Sequence, residues 1–142
     1  MNFFEEVFKL NKILAPTDGS LESIKAVKKA AEIAESFSAE LVVVNAQDIH
    51  VESVSTDIKE RRRKAEKVFA LVKEELRGIE PKTSYKMLEG NPADEICKFA
   101  EKDNFDLIVM GARGLSGIKK FLLGSVADKV VHHAKVPVMI NR

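Results

Sequence analysis

The stretch best suited to chemistry is Gly111-Ala112-Arg113-Gly114-Leu115-Ser116-Gly117-Ile118-Lys119-Lys120-Phe121-Leu122-Leu123-Gly124-Ser125. Gly111 and Gly114 lack side chains, so their backbone N–H groups can approach a ligand closely. Gly124 and Ser125 stand where a helix is predicted to begin, with Ser125 as its N-cap. Free N–H groups and the helix dipole favour an anion at such an end. Two N–H clusters at opposite ends of one loop can grip a polyphosphate, and the Ser125 hydroxyl and Arg113 guanidinium add donors. The plainer alternative is a surface loop punctuated by glycine, with Ser125-Val126-Ala127-Asp128 serving only as a capping box. Glycine count alone favours that alternative.

A second candidate is Pro16-Thr17-Asp18-Gly19-Ser20, a turn that contains a helix N-cap. Asp in such a turn commonly serves the turn itself. Beside a phosphate loop, its carboxylate is also placed for a ribose hydroxyl. Lys119 and Lys120 read as solvated. His132 and His133 fall in the last turn of a helix, where histidine suits the dipole, and His50 stands alone in a loop.

These segments need elements to hold them. Residues 12–16 form a short apolar strand. Leu21, Ile24, Val27, Ala31 and Ala34 follow at helical spacing with charges opposite. Residues 40–46 make a second strand, whose unalternating Leu41-Val42-Val43-Val44 run predicts burial on both faces. Gln47–Thr56 reads as a polar surface loop. Ala65, Val68, Phe69, Val72 and Leu76 define a long helix ending near Gly78. Residues 82–88 form a weaker, alternating third strand. Asn91 and Pro92 open a third helix as N-cap and first helical residue, with Asp94 and Glu95 in its first turn. Residues 106–110 are a fourth buried strand, a helix follows Ser125, and residues 136–141 are the last strand. Residues 2–10 precede this pattern as a short helix.

Strands alternating with helices imply parallel pairing with helices on both faces. The expected fold is a single-domain α/β, doubly wound, five-stranded parallel sheet. A closed eight-stranded barrel needs a longer chain. Ligands of such sheets bind beyond the C-terminal strand ends, where strand order reverses. The loops there are 16–20, 46–56, 89–91 and 111–125, which contain both candidates.

Composition narrows the classes. The 142 residues suit one domain, and 45% apolar content is that of a globular chain. Charges nearly cancel, 23 basic against 22 acidic, so nothing drives the chain toward nucleic acid or an anionic membrane. The early charges Glu5, Glu6 and Lys9 break any signal-peptide pattern, and no apolar run reaches membrane-spanning length. A cytoplasmic location is expected. Cys97 is the single cysteine, which excludes an intrachain disulfide and reads as a small buried core residue. There is no G-x4-G-K-[S/T], no G-x-G-x-x-G after a strand, no G-x-S-x-G elbow and no histidine pair at metal-ligand spacing. A phosphoacceptor receiver domain is also poorly matched, because Asp18 stands without clustered acids and no lysine follows the fifth strand.

Spacing reverses the weighting of the glycine loop. Gly111, Gly114, Gly124 and Ser125 satisfy G-x2-G-x9-G-[S/T] at every fixed position, which resembles the nucleotide-binding pattern of the universal stress protein family. Ile13-Leu14-Ala15-Pro16-Thr17-Asp18-Gly19-Ser20, Asp106 to Gly111, Leu122 to Ala127 and Val136-Pro137-Val138 are also similar to family segments. The likeness runs from Lys12 onward and leaves residues 1–11 as an extension. It implies strand order 3-2-1-4-5 and, for members keeping the motif, bound ATP or AMP with Mg²⁺ or Mn²⁺ on the phosphates. By position, Pro16, Thr17 and Asp18 lie beside adenosine and Ala46 meets adenine through its backbone. Met110 and Gly111 contact adenosine, and Arg113 and Gly114 the phosphates. Gly124, Ser125 and Val126 reach the phosphates from the helix side. Arg113 departs from many members. The resemblance also implies a homodimer joined through the last strand.

The resulting expectation is a dimeric, adenine-nucleotide-binding regulatory protein of the stress response, with an unidentified downstream partner. The alternatives are a slow ATPase or self-phosphorylating enzyme and a nucleotide-free dimeric interaction protein. No general base stands in the motif, so binding is favoured over catalysis, with slow ATP hydrolysis at most.

Overall fold

A computed structural model describes residues 9–52, 54–113 and 122–142. The elements are β1 (Lys12–Pro16), α1 (Leu21–Phe37), β2 (Glu40–Gln47), α2 (Ile58–Glu75), β3 (Thr83–Glu89), α3 (Pro92–Lys102), β4 (Leu107–Gly111), α4 (Ser125–His133) and β5 (Val138–Asn141). The five strands form one parallel sheet in the order β3-β2-β1-β4-β5. β1 pairs with β2 on one side and β4 on the other, so strand order reverses at β1. The predicted fold class and strand order are those observed. The predicted N-terminal helix falls almost wholly outside the described residues, and Lys9 and Leu10 carry no regular structure.

Each face of the sheet is covered by two helices. Ile13, Ala15, Leu41, Val43 and Val109 pack under α1 and α2. Leu14, Val42, Val44, Ile108 and Met110 pack under α3 and α4. Alternation along β1, β2 and β4 therefore feeds two apolar layers, which is why their sequences read as unbroken apolar runs. The buried stripe of α1 is Ser23, Ala26, Val27, Ala30, Ala31 and Ala34. Such small residues let the helix lie close on the sheet.

Three helices begin on a side-chain cap. Ser20 accepts from Ser23 N–H, Asp57 from Lys59 N–H and Asn91 from Asp94 N–H. Helix α4 begins differently: its N-cap is Gly124, Ser125 is its first helical residue, and no side chain among the described residues caps it. This corrects the expected Ser125 cap.

Other boundaries also move. α2 ends at Glu75, ahead of Gly78, which sits beyond it at φ +84°. β5 starts at Val138 rather than residue 136. Pro137 has no N–H to donate, although its carbonyl accepts from Ile108 N–H at 2.9 Å. Cys97 is only partly buried, at the margin of the layer under α3 and α4. Burial, then the nearby Asp94 carboxylate, pushes its thiol pKa up. Among the described residues no helix is long and apolar enough to cross a membrane.

Candidate functional site

The C-terminal ends of β1, β2 and β4 and the N-terminal end of α4 border a cleft partly open to solvent. Pro16, Thr17 and Asp18 form one wall and Ala46 the next. Met110, Gly111 and Arg113 form the third wall, and Gly124, Ser125 and Val126 face them from α4. Every predicted site residue except Gly114 thus lines one cleft; Gly114 lies outside the described residues.

The turn after β1 is fixed by a relay of hydrogen bonds. Thr17 N–H continues the strand ladder to the Val44 carbonyl at 2.8 Å. Gly19 N–H donates to Thr17 Oγ1 at 3.1 Å, which lies 2.7 Å from Ser23 Oγ. The Ser23 hydroxyl donates to the Ser20 carbonyl at 2.9 Å, so the Thr17 hydroxyl is the donor in the Thr17–Ser23 pair. Asp18 Oδ1 accepts from Ser20 N–H at 3.0 Å, the turn role expected of it, while Asp18 also faces the cleft. Gly19 has φ +87°, a conformation costly for other residues, and an added Cβ would stand 3.1 Å from Val68 Cγ2.

Behind this turn lies a buried polar chain that sequence reasoning missed. Asn45 Nδ2 donates to the Thr17 carbonyl at 2.9 Å. Gln47 Nε2 donates to Asn45 Oδ1 at 3.0 Å and to the Arg61 carbonyl at 2.8 Å. Arg61 grips Glu89 Oε2 through Nε and Nη2, at 3.1 and 2.6 Å, and the Ser55 carbonyl through Nη1 at 3.0 Å. Gln47 was expected in a surface loop. Instead it is the last residue of β2 and 5% exposed, and its Oε1 has no partner among the described residues. The chain ties the β1 turn to the segment before α2. The only sequence signal was two polar residues at the end of an apolar strand.

The exit of β4 packs directly on α1. A Cβ on Gly111 would meet the Glu22 carbonyl oxygen at 3.2 Å and Ser23 Cα at 3.4 Å. Just beyond, the Arg113 guanidinium forks onto Glu22, with Nε donating to Oε2 at 3.2 Å and Nη2 to Oε1. The Gly124 N–H donates to the Ala112 carbonyl at 2.6 Å, which closes the two ends of the loop on each other. It is therefore engaged within the loop, contrary to its expected role as a free donor. The N–H groups of Ser125, Val126 and Ala127, the first three of α4, have no intrahelical acceptor. At the other side of the cleft, Pro92, Ile96 and Met110 offer an apolar surface. Ser23, Pro92, Ile96 and Ala127 are lining residues that the sequence did not single out, because at their helical positions they read as caps or core.

The comparisons with known proteins agree with this architecture. Residues 9–142 match the family model of the Universal stress protein family. The chain belongs to the universal stress protein family. Universal stress protein MJ0531 of Methanocaldococcus jannaschii is 40% identical to it, over 96% of this chain and 83% of that protein. Universal stress protein YxiE of Bacillus subtilis is 34% identical, over 93% and 99%. Among solved structures, MJ0577 superposes with a TM-score of 0.79 at 29% identity, covering 93% of this chain and 95% of that one. A universal stress protein crystallised in complex with cAMP superposes at 0.71 with 26% identity, over 94% and 98%.

Proposed function

We propose that this universal stress protein is a regulatory module that binds an adenine nucleotide, ATP or AMP, in the cleft between β1, β4 and α4. The observation that carries the reading is the start of α4: a helix end with no side-chain cap among the described residues, whose first three residues line the cleft at the point where strand order reverses. Such an end suits phosphate. The apolar surface of Pro92, Ile96 and Met110, with Ala46 at the end of β2, suits a purine ring. Asp18, at the β1 turn between the two, suits a ribose hydroxyl. A relative of 26% identity crystallised with cAMP supports the adenine class. ATP would carry Mg²⁺ or Mn²⁺ on its phosphates. The glycine motif itself contains no general base, so binding rather than turnover is the task proposed for it, with slow hydrolysis at most.

The same reading makes the protein a cytoplasmic homodimer joined through β5. This strand ends the sheet, with Val138 and Ile140 turned to the core and Met139 40% exposed. An open apolar edge is a liability that a symmetric partner strand removes.

The deciding experiment is mass spectrometry of small molecules released on denaturing the purified protein. Adenine nucleotide in near-stoichiometric amount supports the reading. A protein that releases none, and takes up none when ATP or AMP is added, is the nucleotide-free interaction protein instead.

A further inference from the structure

The phosphate end of the cleft holds a charge arrangement that its motif does not announce. Arg113, the cation among the described residues lining the cleft, is already engaged. Its Nε and Nη2 both reach the Glu22 carboxylate, a side-on fork in which the guanidinium side chain is 31% exposed and the carboxylate side chain 37%. The pair is held from both sides. Glu22 sits in the first turn of α1, where a carboxylate is favoured by the helix dipole. Arg113 leaves β4 two residues after Gly111, whose missing side chain lets β4 come within van der Waals contact of the Glu22 backbone. The close approach of β4 to α1 keeps the two backbones, and so the two side chains, within reach of each other.

Resting on the nucleotide-binding reading above, we propose that Glu22 is the specificity-determining residue of the phosphate end. It holds Arg113 as a neutralised pair, so that the site discriminates little between one phosphate and three. Phosphate is then bound chiefly by the N–H groups at the start of α4, which have fixed positions and suit a single group. Each further phosphate meets a guanidinium whose charge is cancelled by the Glu22 carboxylate. In the sequence Glu22 is one of the charges opposite the apolar face of a helix.

The test is calorimetric titration of adenosine, AMP and ATP into the wild-type protein and Glu22→Gln, at low and high salt, with Tm recorded for each. Gln keeps the length and one acceptor for Arg113 but removes the charge. The inference predicts that Glu22→Gln binds ATP about three- to tenfold more tightly, AMP by a smaller factor and adenosine unchanged, with the gain shrinking as salt rises. Glu22→Ala should give the same order and serves if the Gln variant misfolds. An ATP-to-AMP preference unchanged in both variants, or weaker ATP binding, overturns the assignment of Glu22 while leaving the nucleotide site standing. A wild-type protein that binds none of the three overturns both.

Discussion

Substituting Gly111 by Ala tests the packing that frames the cleft. The added Cβ would stand 3.2 Å from the Glu22 carbonyl oxygen, 3.3 Å from its carbon and 3.4 Å from Ser23 Cα. All three neighbours are backbone, so no side chain can turn aside and β4 must part from α1 by a few tenths of an ångström. Both are central: β4 is fully buried, and α1 packs its small-residue face on the sheet. Overpacking of this kind costs about 1–3 kcal/mol. For a chain of this size each kcal/mol is worth about 4 °C, so a fall in Tm of about 4–12 °C is expected. Differential scanning calorimetry measures it directly. Gly78→Asn is the comparator: Gly78 also has an unusual backbone, at φ +84°, but nothing lies within 4 Å and Asn tolerates that conformation. Its Tm should stay within about 2 °C of the parent, since surface changes fall within ±0.5 kcal/mol. If Gly111→Ala melts with the parent, the close approach of β4 to α1 is not what shapes the cleft.

Other perturbations probe separate parts of the account. Asn45→Ala strands the buried Thr17 carbonyl and should cost about 1–3 kcal/mol by denaturant titration; Asn45→Asp, which sets a carboxylate against that carbonyl, should cost at least as much at pH 7, and parent-like stability in both would remove Asn45 from the support of the β1 turn. Because burial raises the Cys97 pKa, less thiolate is present at pH 8 than in a free cysteine, so iodoacetamide should modify the folded protein slowly and the unfolded protein faster; equal rates would contradict the burial. Light scattering should give twice the chain mass of 15.8 kDa, and a Met139→Lys variant should shift toward that single mass; a monomeric parent rules out the β5 dimer.

Much of the fold was written in patterns that local physics cannot satisfy otherwise. Leu41-Val42-Val43-Val44 has no polar face, so it had to be a strand covered on both sides, and it is. Asn91-Pro92 combines a capping side chain with a residue that has no N–H to lose, and α3 starts there. The site was legible to the extent that it is made of backbone, because glycine spacing reports backbone approach.

What stayed hidden depends on tertiary neighbours. Ser125 looks like a cap, but the Gly124 N–H is drawn to the Ala112 carbonyl, and that contact moves the helix start by one residue. Asn45 and Gln47 look like the fraying end of a strand. They are buried because Arg61, 14 residues beyond Gln47 on the next helix, brings its carbonyl and its ion pair with Glu89 against them. Ile96 and Ala127 lie on the inner faces of α3 and α4, where no periodicity separates a core residue from one that borders a cleft.

The central claim, that adenine nucleotide is held by the start of α4, is tested most directly by titrating ATP into the wild-type protein and Gly124→Val in a calorimeter. Gly124 has φ −63° and ψ 162°, which valine can adopt, so the variant should fold, losing about 1 kcal/mol at most from the poorer cap. Gly124 lines the cleft next to Ser125 and Val126, so valine adds bulk at the end where phosphate is proposed to bind. The account predicts a binding isotherm for the parent and at least a tenfold weaker one for the folded variant. A folded Gly124→Val that binds ATP as tightly as the parent would contradict it.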